Sequence, residues 1–168
     1  IAVYKAREME TVIKKCSGCS VLSYEDSPIS DSSTRMPQLT TSLLQRFGDK
    51  WTYSLAINDL YFDFMGPSLA AAGKQGGGTP KQASAGDGSV AAFDRIRSKR
   101  YQSATVAEPL NLQGWQIVDE MNRALSKAPW SGYVPKVHLV TVANIAHDGG
   151  TKNIFDPDNG YRNEYKKI

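Results

Sequence analysis

Trp51-Thr52-Tyr53-Ser54-Leu55-Ala56-Ile57-Asn58-Asp59-Leu60-Tyr61-Phe62-Asp63-Phe64-Met65 is the stretch on which the fold class turns. Trp51, Tyr53, Leu55 and Ile57 alternate with Thr52, Ser54 and Ala56, the period of a half-buried strand. Asn58-Asp59 is turn chemistry. Leu60 to Met65 then reads as a second strand folded back on the first, although a two-residue hairpin prefers glycine after Asn. A hairpin at this point makes the sheet antiparallel.

Toward the amino terminus, Pro37 suits the first turn of a helix that carries Leu39, Leu43, Leu44 and Phe47 and closes at Gly48. Before it, residues 23–36 are Ser/Asp-rich and aperiodic, hence a loop. Ala2, Ala6, Met9, Ile13 and Cys16 form one stripe at helical spacing, so residues 2–15 are an amphipathic helix that ends around Ser17-Gly18.

Toward the carboxyl terminus, residues 66–89 lack large apolar side chains over most of their length and carry Gly73, Gly76, Gly77, Gly78, Gly86 and Gly88, the composition of a long flexible loop inside one domain. Val90, Phe93 and Ile96 mark a short helix and Tyr101 to Ala107 a strand, with one bent strand over 90–107 as the alternative. Asn111 caps a helix over 111–127 whose apolar face is Leu112, Trp115, Val118, Met121 and Leu125. Lys136 to Ala146 is β-branched and apolar, a central strand, and after a turn at 147–150 residues 152–155 continue the extended chain. Asp156-Pro157-Asp158-Asn159-Gly160 turns again, and Tyr161 to Ile168 is a polar edge strand. The expected fold is α+β: one domain over 1–168, an antiparallel sheet of about five strands packed by two or three helices, an N-terminal amphipathic helix and the Gly-rich loop at 66–89.

The chain of 168 residues is long enough to bury a core without metal or disulfide staples. A net charge of +3 does not call for a polyanionic partner. Residues 1–70 hold 7 Lys/Arg against 8 Asp/Glu and residues 71–168 hold 13 against 9, so the excess lies in the second part. None of the seven asparagines stands in an N-x-Ser/Thr sequon, and no run approaches the roughly 18 apolar residues of a membrane span. A membrane anchor upstream of Ile1 stays open, and the compartment expected is extracytoplasmic or virion-associated.

Cys16-Ser17-Gly18-Cys19 has the spacing of a redox pair or half a zinc site. It follows a helix, where the dipole raises a thiol pKa, and no second pair exists to complete a zinc site. A disulfide or two thiols is expected, with no metal. His138, His147 and Asp148 are the candidates for acid–base chemistry. Asp156-x-Asp158-Asn159-Gly160 has the oxygens of a calcium loop but glycine at the fifth position and Lys167 at the twelfth, so a plain turn explains it. Gly73 to Thr79 has P-loop letters in the wrong order, and no cofactor is expected. Arg95, Arg97, Lys99 and Arg100, followed by Tyr101, form a basic patch able to grip phosphates, so nucleic acid is a candidate but not the preferred partner.

Residues 1–15 resemble the juxtamembrane half of a type IV pilin stalk helix on their amphipathic pattern. The order of helix 111–127, strand, acidic turn and polar final strand resembles bacteriophage tail-terminator proteins, and the size is similar to interbacterial toxin domains. The lack of a convergent catalytic set, the Gly-rich loop suited to ordering against a neighbour and the pilin and tail-terminator resemblances together lead to the expectation of a non-enzymatic structural or interaction subunit of a pilus, secretion apparatus or phage tail, with a protein partner or self-association. The alternative is a toxin or hydrolase domain that uses His138 or His147, and a third is phosphate or nucleic-acid binding through residues 95–101.

Overall fold

The computed structural model describes residues 1–167. Four strands, β1 (Tyr53–Ala56), β2 (Lys81–Ser84), β3 (Gln102–Ala107) and β4 (His138–Thr141), lie in that order across one sheet. β1 pairs with β2 and β2 with β3 in parallel, and only β4 is antiparallel, with Ala107 opposite His138. Parallel neighbours need crossovers, supplied by α3 (Leu60–Ala71) and α4 (Val90–Arg97). The fold is therefore α/β, a mostly parallel, Rossmann-like four-stranded sheet flanked by helices, and not the α+β antiparallel sheet expected.

Two segments account for the difference. Leu60 to Met65 is the start of α3, not a second strand. Tyr61, Phe62, Met65 and Leu69 are buried between α2 (Ser32–Phe47) and the sheet, and a helix apolar on most sides shows no readable period. Asn58 starts it, its Oδ1 accepting the Leu60 amide at 2.8 Å. The supposed loop at 66–89 contains the last turns of α3 and the central strand β2. β2 is Lys-Gln-Ala-Ser, without one large apolar residue, yet Gln82 and Ser84 are buried.

Three further expectations change near the carboxyl end. β4 is an edge strand of four residues, followed by the short α6 (Ile145–Asp148), so 136–146 is not a central strand. Residues 152–155 form no strand. Residues 161–165 form a short helix, α7 (Tyr161–Tyr165), where an edge strand was expected, and Ile168 lies outside the described residues. α1 (Ala2–Ile13), α2, α4, β1 and β3 fall near their expected places, with Pro37 inside α2 and not at its first turn. The helix over 111–127 is present as α5 (Leu110–Leu125), but only its Leu112 is buried.

The core sits on one face of the sheet in two clusters. Met36, Trp51, Tyr61, Phe62, Met65 and Leu69 join α2, α3 and the entry to β1. Phe93, Ile96, Ala107, Val140 and Ile145 join α4, β3, β4 and α6. Gly149 is required beside Phe93, because a Cβ there would lie 2.5 Å from the ring. On the opposite face Tyr53, Leu55 and Leu139 are exposed.

A buried carboxylate joins the clusters. Asp59 is 1% exposed and accepts the Ser84 hydroxyl, the Gly88 amide at 2.8 Å, the Ser89 amide at 3.2 Å and the Gln102 side-chain amide at 2.7 Å. Asp59→Ala is expected to cost at least about 3 kcal/mol, since it orphans several buried donors at once; chemical denaturation measures it. Phe93→Ala should cost about 3–5 kcal/mol, the range for deleting a buried aromatic. Trp115→Ala should cost clearly less in the same assay, because Trp115 is only half-buried, stacked on Tyr165 at 6.3 Å.

Candidate functional site

β1, β2 and β3 end side by side at Ala56, Ser84 and Ala107, and each is followed within three residues by a side chain that can hydrogen-bond. These are Asn58, Asp87 and Glu108. Asn58 Nδ2 donates to Asp87 Oδ2 at 2.8 Å, and its Oδ1 is held by the Leu60 amide. The Glu108 amide donates to the Asp87 carbonyl at 3.1 Å, which locks the β2 exit to the β3 exit. Lys5 arrives from α1: its Nζ donates to the Ala85 carbonyl at 2.9 Å and lies 3.9 Å from Glu108 Oε1. Gln113 of α5 donates to Glu108 Oε2 at 3.3 Å. All five side chains are partly exposed.

The loop after β2 can make this approach only because of glycine. Gly88 has φ of +76°, and a Cβ on it would stand 2.6 Å from that of Ala107. Asp59, one residue after Asn58, is turned the other way, into the core, where it fixes Gly88 and Ser89. The outer polar groups thus rest on an inner polar frame. The arrangement offers carboxylate and amide oxygens as acceptors and amide and ammonium groups as donors, the chemistry that recognises hydroxyl groups.

A larger concavity lies elsewhere. An open cavity of about 970 Å³ runs beside β1, between α1, residues 18–29 and α2, with Met9, Ile13, Leu22, Leu43 and Leu55 in its wall. Asn58, Asp87 and Glu108 do not line it. Its wall is mostly apolar, with Glu10, Glu25, Asp26 and Lys50 among the polar residues that line it. The carboxyl ends of parallel strands are where open α/β sheets bind ligands, so the strand-end cluster is the better candidate.

The residues singled out in the sequence fall as follows. His138, His147 and Asp148 do come together: Asp148 Oδ2 is 2.8 Å from His138 Nε2, and its Oδ1 is 2.9 Å from His147 Nδ1. The hydrogen bond from His147, then that from His138, holds the Asp148 carboxyl below its usual range against the opposing effect of burial. His138 also stacks on Phe155 at 4.9 Å, so the set clamps β4 to α6 and the following loop. Cys16 and Cys19 are joined as a disulfide and supply no nucleophile. Among the described residues no three His, Cys, Asp or Glu side chains form a metal-binding group, and no helix is long and apolar enough to cross a membrane.

The basic patch is largely consumed internally. Arg95 is nearly buried, paired with Asp63 and donating to Gln102 at 2.9 Å. Arg97 binds the Gly150 carbonyl and Asn153, Arg100 pairs with Asp94, and Tyr101 packs on the core with its hydroxyl on the Lys74 carbonyl. Lys99 is exposed. The strand-end residues Lys5, Asn58, Asp87 and Glu108 were not singled out in the sequence. A readable signal for them existed only once β2 was known to be a strand, since Asp87 then follows its strand end as closely as Asn58 does, within three residues.

No protein-family model and no curated protein sequence matches the chain. Solved structures do. An ABC transporter solute-binding protein from Agrobacterium vitis, bound with alpha-D-tagatopyranose, superposes with a TM-score of 0.71 at 14% identity, over 90% of this chain and 49% of that one. A galactofuranose binding protein gives 0.69 at 12% identity, over 98% of this chain and 50% of that one. A second Agrobacterium vitis solute-binding protein, with bound allitol, gives 0.57 at 18% identity, over 96% and 51%. The chain therefore spans about half the length of the solved structures it matches. These likenesses overturn the expectation of a structural or interaction subunit of a pilus, secretion apparatus or phage tail, and with it the toxin or hydrolase and nucleic-acid alternatives: the fold is that of the α/β half of a periplasmic binding protein.

Proposed function

We propose that this chain is one lobe of a solute-binding protein that captures a sugar or sugar alcohol for an ABC transporter. The observation that carries the proposal is the polar cluster at the carboxyl ends of β1, β2 and β3, where Asn58, Asp87 and Glu108 face the same edge. Carbohydrate hydroxyls need paired donors and acceptors set in fixed orientation, and each member of the cluster is already oriented by a protein partner. Among the described residues Asp87 spends one carboxylate oxygen on Asn58 and keeps the other for a ligand. The similar proteins bind tagatose, galactofuranose or allitol, all polyhydroxylated, which supports the same ligand class here. Binding alone suffices for this role and requires no acid–base pair. Partners in this reading are the solute and the transporter's membrane components.

Titration calorimetry of the complete translation product against a panel of hexoses, pentoses and hexitols is expected to find a ligand. Asp87→Ala and Asn58→Ala should then weaken binding roughly 10- to 100-fold, the effect of removing a hydrogen bond worth about 1.5–3 kcal/mol. His147→Ala should leave affinity unchanged. Silence across the panel, or affinity indifferent to Asp87 and Asn58, would reject the proposal.

A further inference from the structure

The cavity beside β1 is a slot that runs the length of the strand, from Lys50 to Ile57. Lys5 binds the Ala85 carbonyl and the Ala85 amide donates to the Ala56 carbonyl, so the amino-terminal end of α1 lies at the carboxyl end of β1. Ala2, Ala6, Met9 and Ile13, the apolar stripe of α1, line the slot over roughly 16 Å of helix. α2 brings Leu43 and Phe47 to the same space. Although its stripe lines the slot, α1 has no buried residue. Two apolar stripes that border a space of about 970 Å³ without meeting leave room for a small molecule that completes their packing.

One end of the slot is polar. Tyr61 donates its hydroxyl to the Ser27 carbonyl at 2.7 Å, while Ser27 Oγ is buried with no hydrogen-bond partner among the described residues. Burial raises the Tyr61 hydroxyl pKa and the charge of Asp26 raises it further, so the Asp26 carboxylate lies near the same hydroxyl. The other two carboxylates of the wall are spent, Glu10 on Arg7 and Lys14 and Glu25 on Ser23 and Arg46. Asp26 is held by no ion pair or side-chain hydrogen bond among the described residues. The wall's one cation among the described residues, Lys50, precedes β1 and stands at the far end. The end at Asp26 therefore carries an uncompensated negative charge beside an orphaned hydroxyl, and its complement is a cation that can donate hydrogen bonds.

We infer that the slot is a second ligand site, separate from the strand-end cluster, and that it takes an amphiphilic amine. The apolar chain or ring system lies between the stripes of α1 and α2, and the ammonium sits between Asp26 and the Ser27 hydroxyl. One group then supplies both the charge that Asp26 lacks and the N–H donor that Ser27 Oγ lacks. An amphiphilic carboxylate would bring a like charge to Asp26. A neutral alcohol would satisfy Ser27 and leave Asp26 unpaired. The site stands independently of the carbohydrate reading, because Asn58, Asp87 and Glu108 do not line the slot.

Calorimetric titration of the complete translation product with octylamine, octanol and octanoate tests this. Octylamine is expected to bind at least about tenfold more tightly than either of the others, the effect of one hydrogen bond to a charged group. Asp26→Asn should bring octylamine down to the affinity of octanol. Ala6→Trp fills the slot from α1 and Leu43→Trp fills it from α2, and each should abolish binding of all three probes. Circular dichroism checks that each variant is folded, and either one alone decides if the other is not. Leu43→Trp should also leave sugar affinity unchanged, so the two sites fail separately. No binding of octylamine, equal affinity for octylamine and octanol, or tighter binding of octanoate would overturn the inference. Octylamine binding that survives a folded tryptophan variant would overturn it as well. Octylamine binding as expected, with no sugar ligand found, would leave this site standing and reject the carbohydrate reading alone.

Discussion

The buried carboxylate of Asp59 is the constraint on which the rest of the arrangement depends. A charge removed from water is tolerated only if donors replace its hydration. Here the donors come from the end of β2, the loop that follows it and the start of β3. Arg95 reinforces the same point, bridging the Asp59 carbonyl, Gln102 and Asp63. Satisfying this carboxylate therefore fixes the exits of β1 and β2 and ties both to the start of β3. The two exits carry Asn58 and Asp87, and the Asp87 carbonyl in turn holds the Glu108 amide, so the outer cluster inherits its geometry from the inner one. A binding surface built on such a frame loses little freedom when a ligand arrives.

The polar interior also explains where the sequence was legible. Helices with a one-sided stripe, α1, α2 and α4, could be placed, as could β1 and β3 with their alternation or β-branched content. β2 could not. Its Gln82 and Ser84 are buried because they serve the hydrogen-bond frame, and a strand buried through polar side chains looks like a loop on any hydrophobic scale. α3 failed for the opposite reason, since Tyr61, Phe62 and Met65 crowd a short helix with apolar surface. Those two errors together converted a parallel sheet into an antiparallel one. Once β2 was lost, Gly-Asp-Gly at 86–88 became loop punctuation and Asp87 had no reason to be noticed.

α5 illustrates a different limit. Its stripe was readable, and the sequence led naturally to a core face at Leu112, Trp115, Val118, Met121 and Leu125. Periodicity reports that a face will be buried but not what will bury it. Leu112 is buried, whereas Val118, Met121 and Leu125 are largely exposed. The same ambiguity applies to the sheet face with Tyr53, Leu55 and Leu139, apolar by sequence and open in the structure.

The histidines show why juxtaposition is a weaker sign of function than position in the fold. His138, Asp148 and His147 meet at hydrogen-bonding distance, as a catalytic set would. Their neighbours assign them differently: His138 is stacked against Phe155, Asp148 is divided between two imidazoles, and the cysteines are bonded to each other. His138 and Asp148 are spent on tying β4 to the segment after it. The strand-end residues hold the opposite status. Each is oriented by at least one hydrogen bond and remains partly open to solvent, at the edge where a parallel sheet presents its loops. A group that is oriented yet not exhausted can serve a ligand, and by that criterion the recognition surface of this chain is Asn58, Asp87 and Glu108 with Lys5 beside them.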